Sequence, residues 1–145
     1  MNILEFMDNK ELMGQAFQGD SWETWRAVLS GAFALPLEGD QLKTFTTLAG
    51  GRNPPLKRVR ELYIIAGRRS AKSQTAAAMA VYLATVGALM DNLDSKLSTG
   101  EKGVIALLAV DRQQAKIALN YIQGMIADSP ILSQMVEKQN TDGAQ

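Results

Sequence analysis

The spacing of apolar and polar positions changes along the chain and predicts alternating strands and helices. An apolar, β-rich run at residues 62–66 leads into a lysine-bearing loop, and a second run at residues 104–110 is of the buried parallel-strand type. Between them, nearly unbroken Ala, Met, Val and Leu at residues 74–90 predict a buried helix. A helical stripe follows the second run, comprising Ala115, Ala118, Leu119, Ile122, Met125 and Ile126. This order predicts an α/β fold with a parallel sheet and flanking helices.

The N-terminal third has a different pattern. Asp20-Ser-Trp-Glu23 matches a capping box that opens a helix, and its apolar face carries Trp22 and Trp25. We expect this tryptophan pair to lie in the core rather than to stack on bases. A short helix through Leu48 and an irregular connection with two prolines follow. The sequence therefore predicts an N-terminal helical segment at residues 1–50 and a partial nucleotide-binding domain at residues 51–145.

Composition limits the chemistry. The 145 residues are 46% apolar and 21% charged, as in an ordinary folded domain, and they include no Cys and no His. Thiolate or imidazole metal sites, Cys nucleophiles and His-based triads are thereby excluded within this chain. The N-terminus lacks the pattern of a signal peptide, and residues 74–90 fall short of the ~20 residues of a membrane span. These features predict a cytoplasmic protein without a membrane segment.

A net charge of zero conceals one strongly basic segment. Residues 52–72 contain seven of the fifteen Lys and Arg residues and a single acid, Glu61. A solvated surface loop explains part of this charge. The three cations Arg68, Arg69 and Lys72 lie within five positions, where they repel one another, and a triphosphate would neutralise them.

The loop after the first apolar run resembles a nucleotide-binding P-loop. The general pattern is GxxxxGK followed by Ser or Thr, in which backbone N–H groups surround the phosphates. Lys72 and Ser73 fit this pattern, whereas Ala66 and Ala71 hold the two glycine positions and Gly67 stands one place late. The predicted strand before the loop and the predicted helix after it supply the context that the motif requires.

Several segments together resemble the large terminase subunit of tailed bacteriophages. They are Gly-Arg-Arg-Ser-Ala-Lys-Ser, Thr-Gly-Glu-Lys-Gly-Val, Ala-Val-Asp-Arg-Gln-Gln-Ala, Tyr-Ile-Gln-Gly and Ser-Pro-Ile-Leu, and the likeness covers roughly residues 20–137. In that family the loop usually reads Gly-Arg-Arg-Ser-Gly-Lys-Ser, so Ala71 is a departure. The resemblance implies an incomplete P-loop NTPase-type sheet that belongs to a viral DNA-packaging ATPase.

The resemblance also implies cofactors, partners and roles. ATP and Mg²⁺ would be bound, double-stranded DNA would be translocated into a procapsid, and the portal protein, the small terminase subunit and further copies of the chain would be partners in the host bacterial cytoplasm. Lys72 would contact the β/γ-phosphates, Ser73 would ligate Mg²⁺, and Arg68 or Arg69 would stabilise charge on the γ-phosphate. The phosphate-binding residues would be Gly67, Arg68, Arg69, Ser70, Ala71, Lys72 and Ser73.

Two alternatives stay open. Hydrolysis in this class needs an Asp-Glu pair at the end of another strand, and no Asp-Glu dipeptide occurs in the chain, so we expect the chain alone to be inactive. Asp111 is either a Mg²⁺-side carboxylate of a compact nucleotide kinase or the N-cap of the next helix. The degenerate loop is also consistent with a non-catalytic, P-loop-like assembly module.

Overall fold

The computed structural model of the chain describes residues 1–13 and 16–136. Within these residues all regular structure is helical, with short 3₁₀ helices at Asp20–Trp22 and Leu93–Lys96. The α-helices are α1 (Ile3–Asp8), α2 (Glu23–Ala32), α3 (Gly39–Leu48), α4 (Lys72–Ala84), α5 (Val86–Met90), α6 (Arg112–Ala127) and α7 (Pro130–Gln134).

The chain forms two compact units. The first, which we call the α4 unit, consists of Met1–Gly14 and Arg69–Gln145, and the second, the α2 unit, consists of Gln15–Arg68. The sequence pattern instead suggested a division between residues 50 and 51. The α4 unit is thus built from two separated parts of the chain, whereas the α2 unit is continuous.

The core of the α4 unit is the contact of α4 with α1 and α6. The side chains of Ile3, Phe6 and Met7 on α1 are fully buried. The ring of Phe6 meets that of Tyr82 edge to face, with 5.4 Å between centroids. The Tyr82 hydroxyl donates a hydrogen bond to the Met1 carbonyl at 3.2 Å. Together these contacts hold α1 against the C-terminal half of α4.

A hydrogen bond also connects the N-terminal segment to α7. Ser129 is 1% exposed, caps α7 by accepting from the Leu132 N–H, and donates to the Glu11 carbonyl at 2.7 Å.

The predicted apolar stripe of α6 faces inward, since all residues of the stripe are buried or half-buried. The stripe predicted from residue spacing is therefore confirmed.

The α2 unit is centred on the contact between α2 and α3. The Phe45 ring lies so close to the Gly31 backbone that a Cβ at position 31 would overlap it, and only glycine fits there. Trp22 and Trp25 are each 9% exposed, so the prediction that the tryptophans lie in the core is confirmed. The capping box was wrong, because Asp20 begins a 3₁₀ helix and no side chain caps it.

The predicted α/β fold, a P-loop NTPase-type parallel sheet with flanking helices, is wrong for the described residues, which contain no strand. Residues 62–66 and 104–110 are non-helical and make no backbone hydrogen bond to any residue that the structure describes. Ile65, Leu108 and Val110 are at least 94% exposed. An apolar run indicates that a segment tends to be buried. A strand also needs an adjacent strand that pairs with its backbone N–H and C=O groups.

Predicted helix 74–90 is divided in two. Helix α4 ends at Ala84 and α5 begins at Val86, with Thr85 between them at φ −118° and ψ −98°. The Thr85 hydroxyl donates to the Val81 carbonyl at 2.7 Å, a bond that competes with regular helix geometry.

Two large apolar residues, one buried and one exposed, provide a direct test of this fold. We expect Phe6→Ala to lower the free energy of unfolding by about 3–5 kcal/mol, since Phe6 is fully buried. We expect Leu108→Ala to change it by less than ~0.5 kcal/mol, since Leu108 is 94% exposed. Urea unfolding followed by circular dichroism measures both. A loss of several kcal/mol at position 108 would show that the segment is buried and would contradict the structure.

Candidate functional site

The residues that precede α4 form a turn with unusual backbone geometry. Arg69 and Ala71 both adopt the left-handed conformation, with φ of 60° and 57°, and Ser70 lies between them. Ala71 is the N-cap of α4, and the right-handed helix begins directly at Lys72. A left-handed residue followed by a right-handed one turns successive N–H groups to the same side, which is the geometry of backbone anion sites.

The helix adds its own electrostatic contribution. Helix α4 has 13 residues, its N-cap residue Ala71 makes no side-chain cap hydrogen bond, and no acidic residue lies in its first turn. Its N-terminal N–H groups present a partial positive charge, which favours an anion. The cations Arg69 and Lys72 are exposed next to this end, while Ser73 is half-buried in the first turn. Residues 69–73 therefore combine backbone donors, two cations and a hydroxyl.

The predicted phosphate-binding residues are divided between the two units. Gly67 and Arg68 belong to the α2 unit, whereas Arg69, Ser70, Ala71, Lys72 and Ser73 belong to the α4 unit. Gly67 is not among the glycines with positive φ, and a Cβ there would meet nothing within 4 Å, so the backbone does not require glycine at this position. Ala71 does occupy a conformation suited to glycine. The structure thus explains why the motif has glycine at the position of Ala71, but it gives no backbone reason for Gly67.

Thr75 also takes part in this turn, and sequence analysis missed it. Its side chain is 1% exposed, and both its N–H and its hydroxyl donate to the Ala71 carbonyl, at 2.9 Å and 3.1 Å. The signal was present in the sequence, since threonine often bonds the carbonyl four residues earlier in a helix. It was hidden because residue 75 reads simply as part of the apolar helix.

Asp111 is the N-cap of α6. Its backbone is extended, and its side chain accepts a hydrogen bond from the Gln114 N–H at 2.8 Å. The cap interpretation of Asp111 is confirmed. Its carboxylate is engaged with the backbone of its own helix, which leaves the kinase alternative without structural support.

One candidate metal ligand lies in the first turn of α4. Among the described residues no three Asp, Glu, Cys or His side chains lie close enough to bind an ion. Mg²⁺ often takes only one or two protein oxygens and completes its shell with phosphates and water. Ser73, in the first turn beside Lys72, fits the role of a single protein ligand of this kind.

Two further features carry no chemistry of their own. The Ser30 hydroxyl in α2 is fully buried and makes no hydrogen bond within the described part of the chain. An open groove on α6 is lined by Ile117, Asn120 and Tyr121, with no Asp, Glu, Lys or Arg among the lining residues that the structure describes.

Comparisons with protein-family models, with curated proteins and with solved structures found no match. No helix among residues 1–13 and 16–136 has the length and apolarity needed to cross a bilayer. The local geometry and charge of residues 69–73 are therefore the basis for any assignment of function.

The left-handed backbone at residue 71 leads to a stability prediction. We expect Ala71→Gly to raise the free energy of unfolding by about 1 kcal/mol. Glycine removes the left-handed penalty of ~1–2 kcal/mol, and part of this gain is lost because glycine increases the conformational entropy of the unfolded chain. Urea unfolding measures the change. Ala76→Gly, at an exposed position inside the same helix, is the matched control and should lower stability by about 1 kcal/mol. Equal losses in both variants would contradict the left-handed assignment.

Proposed function

We propose that the chain binds the triphosphate of ATP at the start of α4. The observation that carries this proposal is the left-handed Ala71, which supplies no side-chain cap, immediately before a 13-residue helix that begins with Lys72. Lys72 contacts the β/γ-phosphates, the backbone N–H groups of the turn surround them, and Ser73 contributes an oxygen to Mg²⁺. This proposal rests on the turn and the helix and does not depend on a sheet.

An arginine completes the site. Arg69 and Arg68 both remain candidates for stabilising charge on the γ-phosphate. Arg69 is favoured, because it belongs to the same unit as α4 and lies two residues before its N-cap. Arg68 and Gly67 are retained in the proposal only as neighbours in sequence.

The larger function that we propose is the one that the sequence resemblance implies. The chain would be the ATP-binding portion of a viral DNA-packaging motor, the terminase large subunit, in the host bacterial cytoplasm. Double-stranded DNA, the portal protein, the small terminase subunit and further copies of the chain would be its partners. ATP turnover would require a carboxylate pair that this chain lacks, so the chain alone would bind ATP without hydrolysing it.

A basic segment in the α2 unit supports the DNA part of this proposal. Arg52, Lys57, Arg58 and Arg60 fall within nine residues that contain no acid, and all four side chains are exposed. Arg52, Lys57 and Arg60 form no ion pair or hydrogen bond with any described residue. Two carboxylates of the same unit are paired with other cations, Glu23 with Arg26 at 3.5 Å and Asp40 with Lys43 at 3.1 Å.

The segment is attached to α2 at a defined point. The Val59 N–H donates to the Ala32 carbonyl at 2.9 Å, and the Arg58 guanidinium lies 4.9 Å from the centre of the Phe33 ring. Nine residues can span up to about 30 Å, which fits a polymer of repeating phosphates better than one phosphate group. We therefore assign the DNA backbone contact to residues 52–60.

A second candidate function is a non-catalytic assembly module. Ala66 and Ala71 at the glycine positions of the motif and the missing carboxylate pair favour it over a nucleotide kinase. In such a module the turn would bind an anion weakly or not at all. Nucleotide titration distinguishes it from the ATP-binding proposal.

The charge of Lys72 gives the test of the ATP site. We expect Lys72→Ala to weaken binding of a fluorescent ATP analogue at least tenfold, because a charge-assisted contact contributes roughly 1.5–3 kcal/mol. The control is Lys116→Ala, which removes an exposed cation from α6 and should leave the affinity unchanged. Identical titration curves for the wild-type protein and Lys72→Ala would remove the ATP assignment.

Salt dependence gives the test of the DNA contact. If Arg52, Lys57 and Arg60 each neutralise one phosphate, binding to a labelled duplex should weaken roughly 40-fold between 50 and 200 mM salt. Neutralising these three residues as glutamines should remove most of that dependence. A control variant with Lys96, Lys102 and Lys116 changed to Gln loses the same charge and should keep the wild-type slope. Equal slopes for the two triple variants, measured by fluorescence anisotropy, would refute the assignment.

A further inference from the structure

Residues 104–110 form an apolar segment that the rest of the described chain leaves uncovered. The segment reads Val-Ile-Ala-Leu-Leu-Ala-Val and contains no charge, no Pro and no Gly. Val104 is 85% exposed, and Leu108 and Val110 are each 94% exposed. A contiguous run of large apolar side chains at the surface marks a place where another surface binds.

The backbone of this segment also lacks partners. None of its N–H or C=O groups forms a hydrogen bond to a residue that the structure describes. Uncharged runs of six or seven residues with β-branched side chains and no Pro pair readily as strands. A strand from another chain would supply both the apolar contact and the N–H and C=O groups at the matching spacing.

The charges at the two ends of the segment indicate which strand that is. Glu101 and Lys102 precede the segment, Asp111 and Arg112 follow it, and these four charges sum to zero. An antiparallel second copy brings Lys102 of one chain to the same end as Asp111 of the other. A parallel copy in register would instead set each charge beside its equal, which is destabilising.

The other exposed apolar run, residues 62–66, lacks this complementarity. Ile65 is fully exposed, as Leu108 nearly is. The charges nearest to the run are three cations and one acid, a net charge of +2, namely Arg60, Glu61, Arg68 and Arg69. Two copies of that run would therefore repel each other at both ends of any pairing, which favours residues 104–110 as the self-complementary segment.

We propose that residues 104–110 pair antiparallel with the same residues of a second copy of this chain. A two-fold axis at Leu107 places Val104 of one copy opposite Val110 of the other, so the same surface serves both chains. The inference is independent of the proposed ATP and DNA contacts, because the segment shares no residue with the turn at 69–73 or the basic segment at 52–60.

Sedimentation equilibrium from micromolar to millimolar protein measures the association. We expect the average mass to rise from that of one chain toward that of two. Leu108→Lys should weaken the association at least about tenfold, because by symmetry it removes two cross-strand apolar contacts and brings two cations together. Ile65→Lys is the matched control, since it places the same charge at an equally exposed apolar position and should associate like the wild type.

Dilution separates association from folding. Pairing follows mass action, so dilute protein is monomeric and its unfolding in urea reports the single chain alone. Both lysine variants should then unfold like the wild type, since residues 65 and 108 are exposed in the single chain. The described residues contain no strand, so a β-sheet signal in circular dichroism that grows with concentration would report the pairing itself.

Disulfide crosslinking tests the direction of pairing. The chain contains no Cys, so Val104→Cys and Val110→Cys each introduce a single thiol. When the two variants are mixed and oxidised, with an affinity tag on one, an antiparallel pair should give mainly the mixed 104–110 disulfide. A disulfide requires Cα atoms within about 7 Å, which the 104–104 and 110–110 pairs would exceed in this arrangement.

Three outcomes would overturn the proposal. A chain that stays monomeric over the whole concentration range would leave residues 104–110 to a different protein. Equal weakening by Leu108→Lys and Ile65→Lys would show that the contact is not specific to this segment. Disulfides formed mainly between identical positions would show that the chains pair in parallel.

Discussion

Burial of α4 is the interaction on which the rest of the α4 unit depends. Thr75, Ala77, Ala78, Val81 and Tyr82 are all less than 7% exposed, and the helices that cover them come from both ends of the chain. Small alanine side chains allow neighbouring helices to approach α4 closely, and the rings of Phe6 and Tyr82 meet edge to face between α1 and α4. Because α4 is held along its length, its first turn presents Lys72 and Ser73 from a fixed support.

The candidate site contains strained backbone that is held in place by the start of α4. Two non-glycine residues adopt left-handed backbone, which costs roughly 1–2 kcal/mol at each position. Such strain persists only where the surroundings determine the conformation. Here the start of α4 provides that support, with the Ala71 carbonyl held by two donors from one buried residue. The geometry is therefore a property of the turn and the helix together.

Sequence analysis predicted local features better than pairing between distant segments. The stripe on α6, the Asp111 cap and the buried tryptophans depend on residues within a few positions of one another, and the structure confirms them. The sheet was wrong because its two apolar runs, at residues 62–66 and 104–110, needed neighbours that spacing cannot identify. At the site, the motif placed Lys72 and Ser73 in the loop just before a helix predicted from residue 74, whereas the helix begins at Lys72. It did not reveal that Thr75 holds Ala71, because residue 75 lies outside the motif and the tendency of threonine to bond the carbonyl four residues earlier is hidden within the apolar run.

The discontinuous make-up of the α4 unit sets an order of events during synthesis. Residues of the α2 unit are continuous and can fold as soon as they leave the ribosome, whereas α1 must wait for Tyr82 and its neighbours. At a translation rate of ~5–20 residues per second, that delay is roughly 4–15 seconds. Throughout it, the apolar face formed by Ile3, Phe6 and Met7 has no native partner. Nascent chains of this protein would therefore carry an N-terminal segment that attracts chaperones until α4 is made.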